Sequence, residues 1–164
     1  RSNETLSRAM HANLERVGGV HYTEDERSFA EKIQESFTGE VPALSSAAEI
    51  EKFSVEEEGE GGSTDVGDVS WVVPTAGLRT ATYVPGTPGH SWQAIASGGT
   101  SIGNKGMIVA AKTLALTAID LFESPEILAD AKRERERRVG PGFVYESLVG
   151  DRPPPLAYRK PARR

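Results

Sequence analysis

No cysteine occurs in these 164 residues. That excludes a disulfide framework and any thiolate metal site, and it agrees with a reducing, cytoplasmic setting. Apolar residues make up only 37% of the chain. The shortfall is local. It falls in an acidic stretch from Glu40 to Gly62 and in a Pro/Arg-rich tail after Gly150. Long uncharged apolar runs are also missing. The longest apolar segment, Met107 to Phe122, contains Lys112 and Asp120. It falls short of the roughly 20 residues that a membrane-spanning helix needs, so no membrane partner is expected. The net charge of -5 argues against general nucleic-acid binding. The opening Arg1-Ser2-Asn3-Glu4 has neither an initiating Met nor a signal-peptide pattern, which is compatible with processing, truncation or a piece of a longer protein. No internal repeat is visible.

What remains is enough for one domain with a real core over residues 1–150, with 151–164 as an unfolded tail. Leu6, Met10, Leu14 and Val17 recur at helical spacing, and Gly18-Gly19 stops that helix. Thr23 with Glu26 forms a capping box for a second helix, whose buried face is Phe29, Ala30, Ile33 and Phe37 and which ends at Gly39. The stretch 40–62 reads as a solvated acidic loop; Ile50, Phe53 and Val55 suggest a short strand beneath it. Glu56-Glu57-Glu58 is adjacent-residue charge on a loop, a poor arrangement for converging on one ion.

Asp65 caps a short helix over Val66 to Trp71, with a strand over Val69 to Val73 as the competing reading. Thr80-Ala81-Thr82-Tyr83-Val84 reads as a strand between Gly77 and Pro85-Gly86. Ser101 to Phe122 is apolar on most faces, the pattern of a helix buried in a larger body. Ser124-Pro125-Glu126 starts a last helix that runs through a charged, solvated segment, Lys132 to Arg138, and stops at Gly140.

Histidine is scarce, and of the three only His90 has a setting suited to chemistry. It lies in Thr87-Pro88-Gly89-His90-Ser91-Trp92-Gln93, on a loop leaving the carboxyl end of the expected strand. Ligands of open α/β sheets bind at such ends. A neutral imidazole there is a metal ligand or general base, and an ordinary loop histidine bonding to backbone is an equal reading. His11 is expected to face water, and His21 lacks a glycine-rich or acidic frame. Gly61-Gly62-Ser63-Thr64-Asp65 is the second candidate. Its glycines allow close backbone approach, and the helix start behind them aims free N–H groups at an anion such as a substrate carboxylate. A plain loop-to-helix cap explains the same residues equally well. Asp65 and Asp68 together are a weak candidate carboxylate dyad. Asn104-Lys105-Gly106 is either an anion seat at a helix start or a simple turn.

Three blocks then carry a family resemblance: Gly62 to Trp71, Gly86 to Gln93, and Ser101 to Met107, supported by Asn13-Leu14, Val17-Gly18 and Phe29-Ala30. Together they resemble the aminobenzoyl-glutamate utilisation protein B branch of the zinc amidohydrolases and carboxypeptidases that include aminoacylase. The resemblance implies an α/β sandwich, with this chain as its C-terminal portion, helix-rich with few strands. It implies hydrolysis of the amide bond of an N-acyl or N-aroyl amino acid by a pair of divalent metals, zinc foremost, with manganese or cobalt as options. A Glu would accept the proton of a bridging water. His90 matches the last metal ligand, and Gly62, Ser63, Thr64 and Asp65 match a turn beside the substrate.

The other His, Asp and Glu ligands of the family come before a dimerising lid domain, and no earlier block here supplies them. The chain is therefore expected to lack its N-terminal catalytic half and lid. It should be inactive alone and should assemble as a homo- or hetero-oligomer. Gly89 replaces a bulkier residue beside the ligand position, and Asn104 stands where the branch often has His. The alternative is a non-catalytic, partner-binding or structural remnant of the same fold.

Overall fold

The computed structural model describes residues 2–54 and 64–156. Their regular structure is six α-helices and one 3-10 turn: α1 Glu4–Val17, α2 Glu24–Gln34, the 3-10 turn Leu44–Ala48, α3 Val66–Val72, α4 Trp92–Gly98, α5 Ser101–Glu123 and α6 Pro125–Val139. α5 is the axis. α1, α4 and α6 pack on it, and α6 also packs along α1.

Local chemistry accounts for most boundaries. The Asn3 side chain accepts a bond from Leu6 N at 3.1 Å and starts α1; Gly18 ends it at φ 81°. Thr23 and Glu26 form the expected reciprocal capping box on α2. α2 stops at Gln34, earlier than Gly39, and Phe37 still reaches the core from the turn beyond. That core joins Ala30, Ile33, Val84 and Ile102, with Phe29, Phe37, Tyr22, Leu44 and Ala96 against it. The second interior region, between α1, α5 and α6, is partly polar. Asn13 is buried and donates to Asp120 Oδ2 at 2.5 Å, while Arg16 donates to Asn13 Oδ1 at 2.8 Å.

The expected α/β sandwich is overturned. No β-strand occurs among the described residues. The segment Thr80 to Val84 lies against α5 instead of pairing with another strand. Thr80 Oγ1 donates to the Gly106 carbonyl at 3.0 Å, and Val84 is sunk into the core. A Cβ on Gly106 would stand 2.4 Å from the Ala81 carbonyl oxygen, so the two backbones are in direct contact. β-rich composition needs a second extended segment alongside to become a sheet. Here a helix with a glycine groove occupies that place. Ile50 and Phe53 form no strand either, and Phe53 instead packs edge-on to His11 with ring centroids 5.4 Å apart. Val55 and the Glu56-Glu57-Glu58 triplet lie outside the described residues. Between the two readings of residues 66–73, the helix prevails.

The last helix also differs in one respect. Its charged segment is not wholly solvated. Glu134 is buried and accepts from Glu4 N at 2.7 Å, Thr5 N at 2.9 Å and Thr5 Oγ1 at 2.7 Å. A carboxylate from α6 therefore satisfies the free N–H groups of α1, where the helix dipole is positive. Burial pushes the Glu134 carboxyl up, but the bonds from Thr5 and Glu4 and the nearby Arg138 outweigh it and hold the group below the ordinary carboxylate range.

Candidate functional site

His90 sits at the entrance to α4. Ser91 caps that helix, accepting from Ala94 N at 3.2 Å and donating to the Pro88 carbonyl at 2.7 Å. These bonds pin the turn on both sides of the histidine. His90 itself takes φ 55°, the one positive φ at a non-glycine residue among the described residues. A left-handed backbone at a residue with a side chain costs about 1–2 kcal/mol. The residue is exposed. Its loop follows the extended segment packed on α5, so the strand-end argument for its position does not survive; the close packing beneath it does.

The second candidate is only half visible. Gly61, Gly62 and Ser63 lie outside the described residues. Thr64 and Asp65 are exposed at the start of α3. Asp65 occupies the cap position without a side-chain capping bond; Thr64 Oγ1 instead accepts from Val66 N at 3.4 Å. Asp68 is not paired with Asp65 as an acid/base dyad. It accepts from the Tyr145 hydroxyl at 2.7 Å, and that bond raises the Tyr145 pKa. No hydrogen bond or ion pair joins His90 to Thr64, Asp65 or Asp68 among the described residues.

The Asn104-Lys105-Gly106 stretch is inside α5, and its cation is already engaged. Lys105 Nζ lies 2.5 Å from Glu26 Oε2 and 2.9 Å from the His21 carbonyl. Glu26 Oε1 accepts from Ser101 Oγ at 2.6 Å, and its backbone partner Thr23 donates at 2.7 Å. Burial pushes the Glu26 carboxyl up, yet the bonds from Lys105, Ser101 and Thr23 prevail and bring it down to about 2. This clamp ties the start of α2 to the start of α5 and closes the anion-seat reading. Next to it, burial and then the Glu26 charge push the Tyr22 hydroxyl up to about 12. The capping box signalled Glu26 in the sequence; nothing there signalled Lys105 as its partner.

His11, expected in water, is partly covered. Its ring meets Phe53, Arg8 lies 4.4 Å above the same Phe53 ring, and Glu15 Oε1 is 3.4 Å from His11 Nε2. His21 is exposed.

Among the described residues, no group of three His, Asp or Glu side chains converges on a point where an ion could sit. A zinc site needs three or four protein donors, and His90 is a single one. The described part of this chain does not by itself fit a metal centre.

The comparison with known proteins decides the relationship. The chain is 34% identical to the B subunit of p-aminobenzoyl-glutamate hydrolase from Escherichia coli (strain K12) over 158 residues, covering 82% of this chain and 33% of that protein. The chain belongs to the aminobenzoyl-glutamate utilisation protein B branch. It spans about a third of the length of this curated relative. No family model matches, and no solved structure matches. No helix among the described residues is long and apolar enough to cross a membrane.

Proposed function

We propose that this chain is one part of a metal-dependent amidohydrolase that cleaves the amide bond of an N-aroyl or N-acyl amino acid of the aminobenzoyl-glutamate kind. The observation that carries this is the 34% identity to one of the subunits of p-aminobenzoyl-glutamate hydrolase over most of the chain. In this reading the protein is cytoplasmic and zinc is the expected metal, with manganese or cobalt as options. His90 contributes one donor from its pinned turn, and Gly62, Ser63, Thr64 and Asp65 border the substrate. The other donors and the general base belong to the two-thirds of the relative's length that has no counterpart here, in a catalytic half and lid through which the whole protein oligomerises. The chain is inactive without them, because a lone imidazole neither holds an ion firmly nor places two of them.

Two measurements test this. Calorimetric titration of the chain with zinc should show no stoichiometric binding at micromolar affinity, and the chain should not release p-aminobenzoate from p-aminobenzoyl-glutamate. Stoichiometric micromolar zinc binding that His90→Ala removes would overturn the claim that the site is incomplete. In a complete hydrolase polypeptide carrying this sequence, His90→Ala should remove nearly all turnover and leave the melting temperature unchanged. Near-normal turnover of that variant returns His90 to a loop residue and favours a partner-binding role.

A further inference from the structure

The long helix α5 is built the wrong way round for a surface helix. Its buried positions are Ile102, Gly103, Gly106, Thr113 and Thr117, mostly small or polar residues that let α1, α4 and the segment 80–84 come close. Its large side chains face outward. Met107 is 56% exposed, Ile108 48%, Leu114 49%, Ile119 48% and Phe122 87%. Between them run Ala111, Ala115 and Ala118, also exposed. Ile108, Ala111, Ala115, Ala118 and Phe122 follow one another at alternating spacings of three and four, which places them along one line of the helix. Lys112 is exposed at the edge of this face. The face runs from Met107 to Phe122, about 24 Å at the rise of an α-helix.

An apolar face of this length marks a surface that another body covers. A helix packed closely on one side and apolar on the other belongs between two layers, and this chain supplies one of them. Two-thirds of the length of the E. coli relative lies beyond the matched region. We infer that the outward face of α5 is the seat of that remaining part of the hydrolase polypeptide, which packs an apolar surface of its own onto the Ala111–Ala115–Ala118 line. Small residues in the middle, flanked by Met107, Leu114 and Ile119, form a shallow groove that admits a closely approaching backbone. The inference rests on the reading that this chain is part of a longer hydrolase, and it adds which face carries the junction.

The absence of cysteine provides the test, because Ala115→Cys introduces the chain's single thiol. Two proteins carry it: this chain alone, and the E. coli relative with its matched segment exchanged for this sequence. Maleimide labelling of that position is followed by peptide mass spectrometry, with Glu31→Cys on the exposed side of α2 as the reference. The expected result is rapid labelling in the chain alone and labelling at least tenfold slower, relative to Glu31→Cys, in the native exchanged protein, recovered in urea. Rapid labelling in the native exchanged protein overturns the inference. So does protection in the chain alone that grows with its concentration, since a second copy would then be the occupant.

If the exchanged protein does not fold, its soluble yield is compared with that of its Ala115→Glu variant. A fall supports the inference, and an unchanged or higher yield overturns it. Hydrolysis is scored separately. Protection of Ala115→Cys without activity refutes only the proposed function, whereas rapid labelling in an active protein refutes only the seat on α5.

Discussion

Adding one methyl group at Gly106 should loosen the contact on which the His90 loop is carried. A Cβ there would lie 2.4 Å from the Ala81 carbonyl oxygen, 2.7 Å from the Ala81 carbonyl carbon and 2.9 Å from Thr82 Cα. All three are backbone atoms, so no side chain can swing aside. α5 and the segment 80–84 must separate, which also stretches the 3.0 Å bond from Thr80 Oγ1 to the Gly106 carbonyl. Overpacking costs about 1–3 kcal/mol, and contacts to backbone atoms that cannot give way put this site at the upper end, about 2–3 kcal/mol. Replacing a helical glycine by alanine returns about 1 kcal/mol of helix propensity. The net expectation for Gly106→Ala is a loss of about 1–2 kcal/mol, or about 2–8 °C in Tm for a chain of this size.

Gly67 in α3 is the matched control, since a Cβ there meets nothing within 4 Å. Gly67→Ala should leave Tm unchanged or raise it, by about 0.4–1 kcal/mol at most. Thermal melts followed by far-UV circular dichroism compare the pair. Hydrogen exchange should accelerate at 80–84 in Gly106→Ala alone. A Gly106→Ala protein that melts at or above the parent would refute the close backbone packing and with it the account of how the His90 loop is held.

Further outcomes concern the ionic clamps and the strained histidine. The Glu26 carboxyl is held at about 2 against an ordinary value of 4.5. The unfolded chain therefore binds more protons in that window. The stability that Glu26 contributes is fully present above pH 4.5 and is lost as pH falls toward 2. Acid titration of the parent and Glu26→Gln should show a shallower decline for the variant over this range; parallel curves would refute the clamp. Glu134→Ala removes the carboxylate that caps α1 and should cost about 1–2 kcal/mol, measured by urea denaturation, with faster amide exchange at Glu4 and Thr5. His90→Gly relieves a left-handed backbone and should raise stability by about 1 kcal/mol; a lower Tm for His90→Gly would mean that the imidazole makes contacts important to the fold.

Local patterns in the sequence were sufficient for α1, α2, α5 and α6, left α3 open against a strand, and did not show α4. Asn3, the Thr23–Glu26 capping box, Gly18 and Gly140 mark helix ends through bonds and dihedral preferences that involve neighbours a few residues away. The blocks Gly62 to Trp71, Gly86 to Gln93 and Ser101 to Met107 were likewise sufficient for the family. The fold class was not legible in the same way. Thr80 to Val84 has strand-like residues, and only tertiary packing decides whether its neighbour is another strand or the glycine groove of α5. The candidate site was partly legible: His90 stood out by its Gly/Pro-framed loop, whereas its Ser91 cap and its positive φ came only with the structure. The pairings of Glu26 with Lys105 and of Glu134 with the start of α1 join residues 79 and 130 positions apart. No periodicity reports such distances. They exist because α5 and α6 fold back to bring a charge beside free N–H groups or an opposite charge, and that is a property of the packed chain alone.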